Sequence, residues 1–200
     1  MPETNNTIPV SRSLPDDYQE VLHWKVTEKR SRVIAVNIIA VLLLVIFGWW
    51  FSILAASLGK LLEFRFGLIE IVAVFIAVVL TLVLHELTHG LFMRIYGAKP
   101  QYGVLLKGMM FYATSPGYAY PRNNYVVIAL APFVLISLLA ILGMWLLQGT
   151  LWVALLGICG ATNASGAVGD MWITMKVVRY SAQAYVMDER DGIRVFLPKR

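Results

Sequence analysis

One short segment carries the residues most capable of chemistry. His85, Glu86 and His89 lie in the run HELTH, which interrupts a long apolar stretch. Residues four apart on an α-helix project from the same face, so the two imidazoles can hold one metal ion between them. Glu86 then lies beside the ion, where it can act as general base for a water molecule. This spacing is typical of zinc-dependent hydrolases.

The amino-acid composition predicts an integral membrane protein. Of the 200 residues, 58% are hydrophobic and only 14% are charged, which is not the balance of a soluble domain. The formal net charge is +5, but no basic cluster with interleaved aromatic residues is present. We therefore expect no nucleic acid partner. The single cysteine, Cys159, has no second cysteine for a disulfide or a thiolate metal site.

Four apolar segments are long enough to cross about 30 Å of hydrocarbon. We predict spanning helices at residues 33–58, 68–93, 125–147 and 151–178. Pro132 lies inside the third segment and predicts a kink there. The predicted fold class is an all-α polytopic membrane protein: four transmembrane helices with a small β-hairpin or strand element at the cytoplasmic face.

The polar segments divide the chain into three predicted parts. The divisions follow the ends of the apolar spans, where charged residues resume. The parts are a cytoplasmic N-terminal segment (1–32), a four-helix transmembrane metalloprotease-like domain (33–178) that includes a cytoplasmic hairpin loop (94–122), and a cytoplasmic C-terminal tail (179–200).

Short strands are predicted outside the spans. Apolar and polar residues alternate over 22–26, which is the period of a half-buried strand. Apolar stretches at 102–106 and 109–113 flank a Lys-Gly pair and predict a hairpin. This hairpin could offer a strand edge to a substrate, or serve as a lid or a membrane anchor. A last strand is predicted at 193–197.

The distribution of basic residues predicts the orientation in the membrane. Fifteen of the seventeen Lys and Arg residues fall on one side of the four predicted spans. Loops rich in Lys and Arg remain cytoplasmic. We therefore expect a multi-pass protein of a bacterial cell membrane, with both termini and the loop 94–122 in the cytoplasm.

A catalytic zinc site with two histidines needs a third protein ligand. His23 lies in the N-terminal segment, so Asp170 is the best candidate among the acids within the spans. His85 lies roughly 25 Å along its helix and Asp170 roughly 28 Å along its own, which brings both to one level. A carboxylate inside a span is expensive and favours a functional role. We predict His85, His89 and Asp170 as metal ligands; the alternative is an Asp170 that pairs with a nearby basic residue.

Asn163 lies on the same side of the fourth predicted helix as Asp170, about two turns deeper. Small residues line this side, so packing it against the second helix would bring Asp170 to the histidines. Asn163 could then bind a substrate carbonyl, or it could form a hydrogen bond between helices. The sequence leaves both roles open.

Three segments carry a resemblance to a known family. The runs HELTHGLFMRIYGAKPQYG, FYATSPGYAYPRNNYVVIALAP and NASGAVGD resemble the bacterial zincin peptidase family of integral membrane proteins, which is similar to site-2 intramembrane metalloproteases. The resemblance covers most of residues 18–197. It implies peptide hydrolysis near the cytoplasmic face, with Zn²⁺ held by two histidines of one helix and an aspartate of a later helix. On this chain those positions are His85, His89 and Asp170, with Glu86 as the base.

The leading hypothesis is a zinc metallopeptidase that hydrolyses a peptide bond of a membrane or membrane-adjacent protein, with Glu86 as general base. Its partners would be that protein or peptide substrate and the lipid bilayer; the sequence does not determine an oligomeric state. Two other classes stay open. One is a membrane metal-binding or transport protein, although the fourth helix has few polar residues beyond Asn163 to form a metal pathway. The other is a non-catalytic membrane regulator.

Overall fold

The helices lie close to the predicted spans. The computed structural model describes residue 14 and residues 16–58, 67–105 and 110–199. Its helices are α1 (Arg30–Leu58), α2 (Leu68–Ile95), α3 (Arg122–Leu146), α4 (Trp152–Gly166) and α5 (Val168–Val177). Within the described residues, four helical stretches are long and apolar enough to cross a membrane: α1, α2, α3, and α4 together with α5. The segment 59–66, between the first two predicted spans, lies outside the described residues.

The fourth predicted span is not one continuous helix. Ala167 has φ −73° and ψ 3° and separates α4 from α5. Gly166 and Gly169 flank this position, and glycine lowers the stability of a helix interior. The interruption places Asp170 in the first turn of α5.

The first two helices leave most of their apolar surface unpacked. In their most apolar windows only 6% of α1 and 11% of α2 is buried. Ile69 on α2 is 81% exposed and Trp49 on α1 is 67% exposed. Apolar surface of this extent suits helices that contact lipid, because soluble monomers rarely expose large apolar patches.

The small residues of α4 allow two neighbouring helices to approach. A Cβ atom at Gly160 would overlap the ring of Phe51 on α1, and one at Gly157 would lie 3.7 Å from that residue's backbone. Closer to α5, a Cβ atom at Gly166 would lie 3.7 Å from Leu82 on α2. Most of the small-residue side thus accommodates α1, and the predicted approach to the second helix occurs near Gly166.

The described residues are mostly helical, as predicted, and they also form six strands, which is more than the predicted small hairpin or strand element. The strands are β1 (Tyr18–Lys25), β2 (Gln101–Leu105), β3 (Met110–Thr114), β4 (Ala119–Pro121), β5 (Tyr185–Glu189) and β6 (Gly192–Pro198). The predicted hairpin is β2 paired with β3, and the other four form an antiparallel sheet in the order β1-β6-β5-β4. The predicted N- and C-terminal strands thus pair with each other, which the pattern of each strand alone cannot reveal.

The sheet packs against the ends of the helices and closes the core around the site. In the register of β1 with β6, Trp24 lies opposite Ile193. Both are buried, as are Met93 at the end of α2, Ile128 on α3 and Val177 on α5, and all five belong to one hydrophobic cluster. The sheet therefore lies directly against the part of the helix bundle that carries the candidate ligands.

Candidate metal centre

Helix α2 presents His85 and His89 on one buried face. Their exposed fractions are 4% and 7%, and their ring centroids lie 5.0 Å apart. The separation of four residues places the two rings one helical turn apart. Both predicted histidine ligands therefore point toward the interior rather than toward the exposed apolar surface of the helix.

Asp170 meets both histidines across the interface with α5. Its Oδ2 lies 2.9 Å from His85 Nε2, and its Oδ1 lies 3.3 Å from His89 Nε2. The third predicted ligand therefore joins the first two. His23, the remaining histidine, instead contacts Glu189 at 3.0 Å on the exposed side of the sheet.

The three side chains fit a divalent metal such as zinc. One ligand atom from each lies within 4.8 Å of the other two. Two ligands bonded at about 2.0 Å to a tetrahedral ion lie roughly 3.3 Å apart, so small side-chain adjustments would bring all three onto one ion. Two imidazole nitrogens and a carboxylate oxygen are donors that zinc accepts in catalytic sites, which leave a fourth position for water.

Asn163 determines which nitrogen of His85 carries a proton. The Asn163 Nδ2 group donates to the backbone oxygens of Pro132 (3.2 Å) and Phe133 (3.3 Å) and to Ser137 Oγ (3.2 Å). Its Oδ1 must therefore face His85 Nδ1, 2.9 Å away. Because a carbonyl oxygen can only accept, His85 Nδ1 is the protonated nitrogen and Nε2 is left for the metal.

The contacts of Asn163 match the interhelical role that the sequence left open. The side chain joins α2, α3 and α4 and is fully buried, at 0% exposed. Asn163 does not line the cavity described below. Its predicted role in substrate binding stays a prediction.

His89 also forms a hydrogen bond through its second ring nitrogen. Nδ1 lies 2.9 Å from the backbone oxygen of Ile128 on α3. Since that oxygen accepts, Nδ1 is protonated here as well, and Nε2 points toward Asp170. Each histidine is thus held from behind by an acceptor on a different helix.

Glu86 lies beside the three candidate ligands in a cavity of about 340 Å³. The cavity is also lined by His85, His89 and Asp170. A backbone hydrogen bond from Ala113 on β3 reaches the Glu86 carboxylate. This bond leaves the carboxylate further lone pairs with which to accept a proton from water in the cavity.

Glycine at position 90 allows the hairpin to lie close to α2. A Cβ atom on Gly90 would overlap the hydroxyl group and ring of Tyr102 on β2. Tyr102 is opposite Ala113 in the hairpin, so the same contact keeps Ala113 near Glu86. Gly90, the last residue of the HELTHG run, therefore allows the hairpin to pack against α2.

The cavity wall includes a hydrogen-bonded pair of side chains that the sequence did not single out as site residues. Asp188 on β5 and Tyr125 on α3 line the same cavity, and the Tyr125 hydroxyl donates to Asp188 Oδ1 at 2.7 Å. Asp188 stands in the sequence within the charged run DERD. The neighbouring residues in the sequence do not distinguish Asp188 from an acid exposed to solvent. Its inward position results from the pairing of β5 with β4 and β6.

The fold and the site together define a class. The protein is a bundle of long apolar helices with a buried group of two histidines and an aspartate, suited to a divalent metal, and a glutamate adjoins that group. A family model described as "Putative zincin peptidase" matches residues 78–185, a segment that includes all of these side chains. The chain belongs to this family, whose description points to a zinc metallopeptidase.

One curated relative is reported by the sequence comparison. The chain is 30% identical over 113 residues to an uncharacterized 24.7 kDa protein of Pyrococcus woesei, encoded in the gap 5' region. The match covers 56% of this chain and 49% of the relative, so the chain spans about half the length of that relative. No solved structure gave a significant match.

Proposed function

We propose that this chain is a membrane-embedded zinc peptidase that cleaves a peptide bond of a membrane or membrane-adjacent protein near the cytoplasmic face. The observation that carries the proposal is the convergence of His85, His89 and Asp170 beside Glu86. Membership of the zincin peptidase family supports the same chemistry. The proposal also includes a resemblance to site-2 proteases, which cleave within the membrane. Such cleavage requires a site on apolar helices, and the candidate ligands lie on helices of this kind.

The membrane placement is argued from the helices and the charges. The four long apolar stretches supply the spans, and fifteen of seventeen basic residues fall on one side of them. We place both termini, the sheet and the candidate site on the cytoplasmic side. The substrate would then enter laterally from the bilayer or from the cytoplasmic membrane surface.

The proposed mechanism assigns one role to each side chain. His85, His89 and Asp170 would hold the zinc ion, with both histidines binding through Nε2. When bound, zinc polarises the scissile carbonyl and lowers the pKa of water. The Glu86 carboxylate accepts a proton from the attacking water as the new C–O bond forms. Glu86 then passes that proton to the amine nitrogen as the C–N bond breaks; the second proton of the water leaves the new carboxyl group, so the products are a carboxylate and an ammonium.

The substrate must be extended when it is cleaved. A peptide in a helix keeps its carbonyls hydrogen-bonded and its backbone closed to attack. Strand β3 lies in the cavity wall at Phe111, Tyr112 and Ala113 and pairs with β2 along one edge. We propose that the other edge of β3 accepts the extended segment as an added strand. A lid or a membrane anchor is the alternative role for the hairpin.

A pair of glutamate substitutions on α2 tests the proposal. Membrane proteins from cells with the wild-type chain are compared with those from cells with Glu86→Gln and with Glu70→Gln, an exposed acid in the first turn of the same helix. We expect a protein fragment in wild-type and Glu70→Gln cells that Glu86→Gln cells lack. All three purified proteins should retain equal zinc. If the Glu86→Gln variant still produces every such fragment, the chain is not a peptidase of this mechanism.

A further inference from the structure

Pro132 removes one hydrogen bond from the middle of α3. In an α-helix the N–H of residue 132 would donate to the carbonyl oxygen of Ile128, four residues earlier. Proline has no N–H, and α3 nevertheless continues through this position. The carbonyl of Ile128 is therefore left without its helical donor.

The Ile128 carbonyl nevertheless has a hydrogen-bond partner, which is the His89 side chain. His89 Nδ1 lies 2.9 Å from Ile128 O. Ile128 is 1% exposed and His89 is 7% exposed, so both groups are nearly sealed from solvent. A buried carbonyl without a partner is costly, so the imidazole N–H and the freed oxygen satisfy each other.

The turn of α3 that contains Pro132 also connects to the other histidine, through Asn163. The backbone oxygens of Pro132 and Phe133 accept from Asn163 Nδ2, and Asn163 Oδ1 accepts from His85 Nδ1. A proline whose role was only to bend α3 would need no contact with α2. Here the carbonyls around Pro132 lead to both imidazoles.

We propose that Pro132 is a positioning residue of the metal centre: by leaving the Ile128 carbonyl free, it holds His89 as the Nδ1-protonated tautomer and aims His89 Nε2 at Asp170 and the metal. The metal role of His89 rests on the proposed function. The effect of Pro132 on the imidazole does not, because the hydrogen bond joins groups of the chain itself. The two ideas can therefore fail separately.

The first test is the tautomer of His89 in the full-length, metal-free protein labelled with ¹⁵N-histidine. The chain has three histidines, so His23→Gln and His85→Gln spectra assign the His89 signals. We expect Nδ1 of His89 to carry a proton in wild type, whether or not the neighbouring Asp170 carboxylate also holds a proton on Nε2. In Pro132→Ala, the new N–H competes for the Ile128 carbonyl, and we expect the Nδ1 proton to be lost while Nε2 keeps its proton. A wild-type His89 without a proton on Nδ1, or an unchanged Nδ1 proton in Pro132→Ala, would overturn the proposal.

The second test is the zinc affinity of the same proteins, measured by competition with a chelator. Loss of a contact behind a metal-binding histidine lowers affinity by about tenfold or more. We expect about a tenfold loss in Pro132→Ala and none in Pro121→Ala, a matched change at the start of α3. Wild-type affinity in Pro132→Ala would overturn the link to the metal centre. If wild type itself binds no zinc, the proposed function fails, while the tautomer measurement still tests the role of Pro132.

An ester at position 132 separates the missing N–H from the proline ring. Lactic acid in place of Pro132 has the methyl group of alanine but an oxygen where the N–H would be. We expect this chain to regain wild-type zinc affinity and the wild-type tautomer, although it lacks the ring. An ester variant as weak as Pro132→Ala would show that the ring, not the freed carbonyl, matters. The ester variant also provides a second protein for these measurements if Pro132→Ala does not fold.

Discussion

The hydroxyl group of Tyr125 on α3 donates a hydrogen bond to Asp188 Oδ1 on β5, at a distance of 2.7 Å. This bond joins the sheet to the helix bundle at the wall of the candidate site. The other carboxylate oxygen, Oδ2, is buried and has no hydrogen-bond partner within the described part of the chain. Burial therefore raises the pKa of Asp188 to about 7.

We predict that Asp188 makes folding stability fall as the pH rises from about 4 to about 7. The folded chain keeps this proton up to about pH 7, whereas the unfolded chain releases it near pH 4. In this window the folded state binds more protons, so its stability declines with rising pH. Asp188→Asn removes the titration and should gain roughly 4 kcal/mol relative to wild type across the window.

The measurement is the unfolding free energy of both proteins in the same detergent at several pH values. Asp16→Asn, at an exposed acid near the N-terminus, is the matched control and should follow wild type. A difference between Asp188→Asn and wild type that does not change with pH would contradict the prediction.

The second prediction concerns Asn163. Asn163→Leu keeps the number and branching of the side-chain heavy atoms but removes every polar contact of the side chain, so His85 Nδ1 and the carbonyls of α3 lose their partner. Unpaired buried groups cost about 1–3 kcal/mol each, and zinc affinity should fall about tenfold or more. Ser137→Ala removes only one of these contacts and should change affinity little. Equal zinc affinity in the two variants would contradict a role in orienting His85.

The third prediction concerns metal removal. A ligand that binds only the folded state raises stability, by about 4 kcal/mol when its concentration is a thousand times Kd. A chelator should therefore lower the thermal midpoint of wild type. It should leave the midpoints of His85→Ala and Asp170→Ala unchanged, because these variants lose a ligand. A chelator effect of equal size in Asp170→Ala would exclude Asp170 from the metal centre.

The fourth prediction concerns the close contact of α4 with α1. Gly160→Ala places a methyl group against the ring of Phe51, and overpacking of this kind costs about 1–3 kcal/mol. Gly48→Ala is the matched change in α1, where a Cβ atom meets nothing within 4 Å. The thermal midpoint in detergent should fall for Gly160→Ala and hold or rise for Gly48→Ala. Equal midpoints would show that the ring of Phe51 moves away at little cost.

Local patterns in the sequence predicted the elements that have a regular period. The apolar runs predicted all four spans within a few residues of their ends, and alternation over 22–26 predicted the inward-facing part of β1. The positions of His85 and His89 on one face follow from helix geometry alone. Asp170 was predicted because few acids lie within the spans and because its depth matches that of the histidines.

The break at Ala167 and strand β5 were not predicted. The break depends on how α4 and α5 pack, since the apolar composition runs on across it. Strand β5 is short and takes its place between β4 and β6. Such a strand is stabilised by its neighbours, so its own residues carry a weak pattern.

By itself, the sequence determined the four long apolar helical stretches, the spacing of the two histidines and the small set of possible third ligands, because these depend on residues close together in the chain. Only the tertiary structure decided that β1 pairs with β6, that Asp188 enters the cavity wall, and that Ile128 accepts from His89. Each of these contacts joins residues far apart in sequence. No local period encodes such a contact, since it forms only when packing brings two elements together.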